Sequence, residues 1–433
     1  MILHIRAQAH PFPDIKTVQS SPFPAAALRA QFPALQRDST RVFFDNAAGA
    51  QLPQAALDAV MQHLVDHNVQ RGGRYRESVA VDETVARARA SVAAMVNANR
   101  PEEIAFGMNA TSFIRIVSLA VGQSLGARNE IVVTDLDHEA NVATWLALEK
   151  MGAKFQWWKM REDGRLHVAD LTPLLSAKTR MVACTLASNA LGTVIDVRAA
   201  ADAAHAVGAD IFLDSVHYGP HGPLDVQAFD CDYLVCSGYK IFAPHMGFLW
   251  GRYSKLVELP TFREEFIPDE PPYKVEAGTF IYENVAGMDG AIAYLAQLGR
   301  TMRGTSEARS LRDDLRSAME AIRVYEQSLS REVIRMLRDC DATLYGITED
   351  AHLKDRVPTV LFNLPGVLPA AVTEAAAKAN IGIRDGHMYA PRLMGRLGLP
   401  VATGAVRVSL VHYNTSDEIQ KLADVLKTLR RKA

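Results

Sequence analysis

The sequence predicts an α/β protein, a mainly parallel sheet with helices on both faces, followed by a smaller α+β unit. Three observations carry this. Between residues 100 and 250 short apolar runs alternate with helical stretches, the pattern of strands joined by crossover helices: Ile131-Val132-Val133-Thr134, Met181-Val182-Ala183-Cys184, Ile211-Phe212-Leu213 and residues 233–236. Near residue 291 the order changes to a long helical region at 305–340, strands at 358–363 and 405–410, and a closing helix. With 433 residues, 48% of them hydrophobic, the chain can bury a large core in two packed domains. The expected organisation is an N-terminal arm at 1–40, a large domain at 41–290 and a small domain at 291–433.

The arm is expected to be irregular, since Pro11, Pro13, Pro22 and Pro24 interrupt any long helix, and to wrap over another domain or subunit. Regular structure begins with a strand at Val42-Phe43-Phe44, running into Asp45-Asn46-Ala47-Ala48-Gly49. A helix follows from Pro53, because Leu57, Val60, Met61, Leu64 and Val65 fall on one face and proline suits a first turn. Arg71-Gly72-Gly73-Arg74-Tyr75-Arg76 is a basic, glycine-rich loop, either a solvated turn or an anion site. Asn109-Ala110-Thr111-Ser112 opens a helix whose start either is simply capped or holds a phosphate. At the far end, Thr415 with Glu418 forms a capping box before the apolar face Ile419, Leu422, Leu426 and Leu429.

Ligands bind outside the carboxyl ends of parallel strands, and the polar residues of this chain gather there. His138 follows one strand, Ser188-Asn189-Ala190-Leu191-Gly192-Thr193 closes another, and Asp214 ends a third. Lys240 lies between the apolar runs 233–236 and 248–250, in the turn Ser237-Gly238-Tyr239-Lys240. A buried ammonium is costly, and the cost vanishes when the amine is held as a Schiff base. Alternatively its stem packs and its head reaches water.

The formal net charge of −2 gives no electrostatic case for nucleic acid or an anionic membrane, which leaves a small-molecule partner. Met1-Ile2-Leu3-His4-Ile5-Arg6 lacks the apolar core of a signal peptide, and no stretch reaches the roughly 18 apolar residues of a membrane span. A cytoplasmic protein is expected. Cys184, Cys231, Cys236 and Cys340 show no metal-ligand spacing, so neither a disulfide nor a metal site is expected.

Taken together, these stretches resemble class V of the fold-type I pyridoxal phosphate (PLP) enzymes, and within it the cysteine desulfurase-like proteins. The matching pieces also include Asp137-His138-Glu139-Ala140-Asn141, Asp214-Ser215-Val216-His217, Glu276-Ala277-Gly278-Thr279, Arg384-Asp385-Gly386-His387, and Arg407-Val408-Ser409 with Tyr413-Asn414-Thr415. They run in family order from about residue 41 to the C-terminus. The resemblance implies a mainly parallel seven-stranded sheet in the large domain and PLP bound through Lys240. Asp214 would pair with the pyridine nitrogen and keep the ring an electron sink. His138 would stack on the ring, and His217 would lie beside the phenolic oxygen. Ala110, Thr111 and Ser237 would hold the phosphate, with Thr279 reaching it from a second subunit, and Val216 and Tyr239 would complete the cofactor site. A site completed across a two-fold axis implies a homodimer. Arg407 and Asn189 would grip the substrate α-carboxylate, with Asn46, His387 and Tyr389 near the substrate.

One departure narrows the function. In desulfurases the Arg-x-Gly-His loop carries a cysteine that takes up the substrate sulfur as a persulfide; here Tyr389 stands at that position. Two further changes are His217, where desulfurases usually have glutamine, and Tyr239, where they usually have histidine. The reading this favours is a PLP-dependent lyase of an amino acid that cleaves a bond at Cβ, of the C–S lyase type, without a persulfide cysteine. The alternatives are a decarboxylase/aldolase of the ustiloxin decarboxylase type, a class V aminotransferase or epimerase, and a non-catalytic PLP-fold scaffold.

Overall fold

The computed structural model describes residues 23–304 and 309–431. Seven strands form the central sheet, in the spatial order Ile104–Gly107, Gly247–Gly251, Tyr233–Ser237, Asp210–Asp214, Thr179–Thr185, Glu130–Thr134 and Lys154–Trp158. All neighbours pair in parallel except Gly247–Gly251, which runs antiparallel to both of its partners. The five central strands are nearly continuous apolar runs because helices cover both faces of the sheet, and a separate core cluster lies on each face. The chain therefore has the expected α/β architecture.

The C-terminal part is a four-stranded antiparallel sheet in the order Arg384–Gly386, Ala405–Ser409, Thr359–Asn363, Thr343–Tyr345. Against it pack the long helix Leu311–Asp339 and the helices Pro369–Lys378 and Ser416–Arg430. The last helix starts with the capping box of Thr415 and Glu418, and Ile419, Leu422 and Leu426 are buried under it. The expected boundary at 290/291 falls inside the helix Tyr282–Arg303. The strand Val42–Phe43 pairs in parallel with Ile381–Gly382, and Val42 and Phe44 join the C-terminal core. The start of the described chain is thus shared with its end. Of the arm, residues 1–22, with Pro11, Pro13 and Pro22, lie outside the described residues. The rest holds two short helices, Ala25–Arg29 and Pro33–Arg37, and Phe32 is fully buried against Phe242, Tyr294 and Tyr413 of the same chain.

The helix Gln54–Asp66 forms as expected, but its apolar stripe does not face the core. Leu57, Met61, Leu64 and Val65 are 37%, 59%, 38% and 76% exposed, while Ala56 and His63 are buried. The reason is close packing against Tyr282–Arg303. A Cβ on Gly290 would stand 2.5 Å from the Ala55 carbonyl oxygen, so the two helices meet on their small residues and leave the large ones outside. The basic loop after this helix is tied to its own chain, with Arg71 paired to Asp82 at 2.8 Å and the Gly73 amide donating to Ser78 Oγ.

Candidate active site

At the carboxyl ends of the parallel strands a cleft of ≈ 440 Å³ opens. Its walls include Ala110, Thr111, His138, Asn189, Asp214, Val216, His217, Ser237, Tyr239 and Lys240. Ten residues singled out in the sequence are therefore brought together from five separate segments.

Each segment delivers its side chain for a local reason. The strand Tyr233–Ser237 runs into a tight turn, Gly238–Lys240, that turns Lys240 inward, where it is 6% exposed. Burial, and then the neighbouring Arg407, draw its ammonium pKa down from 10.5 to about 8, with Asp214 pulling the other way. Asp214 ends the adjacent parallel strand, opposite Val235, and its Oδ1 accepts from the Val216 amide at 2.9 Å. Burial raises its carboxyl pKa, so an unpaired Asp214 calls for a cationic partner in the cleft. The helix Ala110–Gln123 begins at the cleft wall, capped by Asn109, whose side chain accepts from the Ser112 amide at 2.9 Å. Gly247 makes that placement possible: a Cβ there would stand 2.5 Å from the Asn109 carbonyl carbon. The Ala110 amide donates to Ser237 Oγ at 3.1 Å, so a helix N-terminus and a hydroxyl converge on one edge of the cleft, a cradle for a phosphate.

The opposite edge comes from the C-terminal part. Arg407, on the strand Ala405–Ser409, is 2% exposed; its Nη2 is 2.9 Å from Asp45, and its Nη1 donates to the Asn189 carbonyl at 3.0 Å. Arg384 pairs with the other oxygen of Asp45 at 2.8 Å. Asn189 Nδ2 donates to the Met388 carbonyl at 2.7 Å, while Asn189 Oδ1 and Arg407 Nε are buried with no hydrogen-bond partner. Met388 and Tyr389 both lie in the left-handed region, at φ 53° and 56°. There the loop turns back so that the Tyr389 ring stacks on His138, centroids 5.6 Å apart, and the Tyr389 carbonyl accepts from the Glu139 amide. His138 is held by the Ala140 amide donating to its Nδ1, and burial, then Lys240 and Arg407, lower its pKa to about 4, so the ring is neutral.

Some expected residues lie elsewhere. Asn46 does not face the cleft: its Nδ2 serves the carbonyls of Phe43 and Ser409 and Asn414 Oδ1, and its Oδ1 accepts from Tyr413. It is a buried clamp between the two parts of the chain, and its neighbour Asp45 is the one that reaches Arg407. Thr279 is exposed, with Oγ1 3.2 Å from Gln70 Oε1, away from the cleft of its own chain. His387 is also exposed, its Nδ1 accepting from the Tyr389 amide. Thr185 escaped the sequence reading although it lines the cleft at the carboxyl end of a strand, its Oγ1 donating to the Ala187 carbonyl at 2.8 Å. Its position after Met181-Val182-Ala183-Cys184 was the signal. Asp45 and Arg384 were quoted in motifs but not as site residues.

A buried lysine and a strand-end aspartate, facing a phosphate cradle at the switch edge of a mainly parallel sheet, define the site of a PLP enzyme of fold type I. The residues fit that group: Asp214 needs a cation, the Ala110 helix start needs an anion, and Lys240 is destabilised as an ammonium. The family model for class-V aminotransferases matches residues 42–326 and 304–422, and the chain belongs to this PLP-dependent family. It is 33% identical over 422 residues to the aminotransferase-like protein FGM3 of Gibberella zeae, covering 95% of this chain and 99% of that protein. It is 31% identical to a probable cysteine desulfurase of Streptomyces coelicolor, covering 93% and 96% respectively. Among solved structures, it resembles an apo cysteine desulfurase from Thermococcus onnurineus NA1, with a TM-score of 0.84, 24% identity, and coverage of 96% of this chain and 100% of that one. It also resembles the Escherichia coli cysteine desulfurase CsdA in S-sulfonic acid form, with a TM-score of 0.78, 25% identity and coverage of 94% and 98%.

Proposed function

We propose that this enzyme is a lyase of an α-amino acid that cleaves a bond at Cβ, of the C–S type, without forming a persulfide on its own chain. One observation carries the reading. The loop that holds the nucleophilic cysteine in desulfurases presents Tyr389 here, stacked on His138, while Cys184, Cys231, Cys236 and Cys340 are all buried. Burial raises the pKa of each of the four thiols, so none is an available thiolate.

Lys240 would hold PLP, with Asp214 at its pyridine nitrogen, His138 against its ring face, His217 beside its phenolic oxygen, and Ala110, Thr111 and Ser237 at its phosphate; Val216 and Tyr239 complete the pocket. Bound there, PLP supplies an electron sink for the bond broken at the substrate's Cα. The chain does the rest. Arg407, steered by Asp45 and the Asn189 carbonyl, offers its guanidinium to the α-carboxylate, and Asn189 Nδ2, which gives one N–H to the Met388 carbonyl, has a second to donate to it. The Lys240 amine, its pKa drawn down to about 8, takes the Cα proton and can hand it to the sulfur as the Cβ–S bond breaks, so that the sulfur leaves as sulfide. Tyr389 and the latched loop cover the outer face of His138 and exclude water from that side.

A second reading is favoured by Arg384. Its guanidinium, half-buried and sharing Asp45 with Arg407, is a second cation next to Arg407 that suits a side-chain carboxylate, as a decarboxylase/aldolase would need. One experiment separates the two. The holoenzyme is incubated with a panel of amino acids, including cysteine and aspartate, and assayed for sulfide, pyruvate, alanine and carbon dioxide. The lyase reading expects sulfide from cysteine in the wild type and in the fourfold variant Cys184→Ala, Cys231→Ala, Cys236→Ala, Cys340→Ala alike; carbon dioxide without sulfide selects the decarboxylase, and sulfide release lost in a folded, PLP-loaded fourfold variant rejects a persulfide-free enzyme.

We further read the molecule as a cytoplasmic homodimer. The exposed stripe of Leu57, Met61, Leu64 and Val65, with Phe262 and Phe266 at 95% and 80% exposure, supports a second copy, which would carry Thr279 to the partner's phosphate cradle. Four unpaired cysteines fit a reducing compartment, and among the described residues no helix is long and apolar enough to cross a membrane.

A further inference from the structure

A second recess, narrow and with little internal room, is lined by Tyr218, His221, Arg323, Glu326, Lys354 and Pro358 among others. The recess and the cofactor cleft share no lining residue, and two histidines stand between them. His217 faces the cofactor cleft and His221 the recess, their rings edge to face at 5.4 Å and 72°. His221 Nδ1 is 2.7 Å from Glu326 Oε2, and these side chains are only 3% and 2% exposed. His217 Nε2 lies 3.0 Å from Thr359 Oγ1.

We propose that Glu326 and His221 form a positioning pair that seats His217, so that a carboxylate in the middle of the long helix Leu311–Asp339 acts on the cofactor cleft without touching it. A buried carboxylate is destabilising unless it is paired, and His221 Nδ1 is the group placed to pair with it. The contact holds the His221 ring at a fixed orientation, edge to face with His217. Lys240 and Arg407 face His217 from the other side of the cleft, and Asp214 ends the strand leading to its loop. Desolvation, and then His221, Lys240 and Arg407, all oppose a proton on His217, which stays neutral. The groups facing the pair itself are Tyr218, Arg323 and His412; burial lowers the His412 pKa to about 3, so that ring is neutral too. With Nε2 committed to the Thr359 hydroxyl, Nδ1 is the ring nitrogen left for a group in the cleft. His217 is therefore presented as one neutral tautomer, fixed by its neighbours and not by solvent pH. The PLP reading stands independently, because the deciding measurement uses cofactor-free protein.

Glu326→Gln keeps the volume and removes the charge. Ring-nitrogen NMR of histidine-labelled, cofactor-free protein, assigned with His217→Asn and His221→Asn, reports protonation and tautomer from about pH 5 to about pH 9, the range in which an ordinary histidine titrates. In wild type His217 is expected to hold a single neutral tautomer throughout. In Glu326→Gln, His221 loses the carboxylate that fixes its ring, so His217 loses the neighbour that seats it and is expected to mix tautomers. His217 signals in folded Glu326→Gln that match wild type at every pH overturn the proposal. So does a wild-type His217 that titrates in this range, a result that needs no variant. Should Glu326→Gln not fold, His221→Asn, which keeps a donor toward Glu326, replaces it, and unchanged His217 signals there overturn the proposal as well.

Discussion

Lys240 binds a proton less tightly in the fold than in the unfolded chain, about 8 against 10.5, and each pKa unit is worth about 1.4 kcal/mol. Below about pH 8 the full penalty, about 3 kcal/mol, weighs on the cofactor-free protein, and it disappears as the pH rises from about 8 to 10.5. Cofactor-free Lys240→Met should therefore be more stable than its parent at pH 7 by about 3 kcal/mol, with the difference closing near pH 10.5. Urea midpoints at both pH values check this; an equal gap at both would mean that packing, not charge, sets the difference. Loaded with PLP, Lys240→Ala should lose the visible absorbance of the bound cofactor and about 100-fold or more in turnover. Tyr389→Phe keeps the ring on His138 and should leave that absorbance unchanged while altering product ratios over the amino-acid panel; identical ratios would show that the hydroxyl faces no substrate. Most cleft residues were legible because they end strands or open helices. Asn46 was misread: it opens a 3-10 turn, Asn46–Ala48, directly after Asp45, and a motif containing both residues does not record which of the two side chains faces in.

Whole elements were legible to the extent that their periodicity was. The central strands read as apolar runs because both faces are covered. The edge strand Lys154–Trp158 was missed, since only Trp158 in it is fully buried, and Ile104–Gly107 is too short to show a pattern. The stripe on Gln54–Asp66 was a correct period with the wrong destination, because the helix packs through Ala55 and Ala56 against Gly290. Gly290→Leu should therefore overpack that contact and lower stability by about 1–3 kcal/mol, read as a drop in the thermal midpoint. Thr415→Ala, at an element whose start the sequence marked clearly, should cost about 1 kcal/mol through loss of the capping box, read in the same way.

For the molecule as a whole, the two-part architecture could be anticipated from the change in element order, but the seam between its parts could not. Chain distance says nothing of the parallel pairing of Val42–Phe43 with Ile381–Gly382, which places the first strand with the last domain. Assembly between copies is also a whole-molecule property. Met61→Asp with Val65→Asp, on the exposed stripe, should turn a dimer into monomers in sedimentation velocity and weaken PLP retention about tenfold or more, if a partner completes the phosphate cradle. Dimers that persist would place the interface elsewhere.

The ion pairs of Asp45 also bear on how the protein is made. Asp45 and Arg384 are 339 residues apart in sequence, and Arg407 emerges later still. A ribosome must therefore release nearly the whole chain before the carboxylate site proposed above can exist. The central sheet has all its strands by residue 251, so it can form during translation, while the first strand waits for its partner. No truncated nascent chain can then handle substrate, and such long-range closure makes the last folding step a slow one.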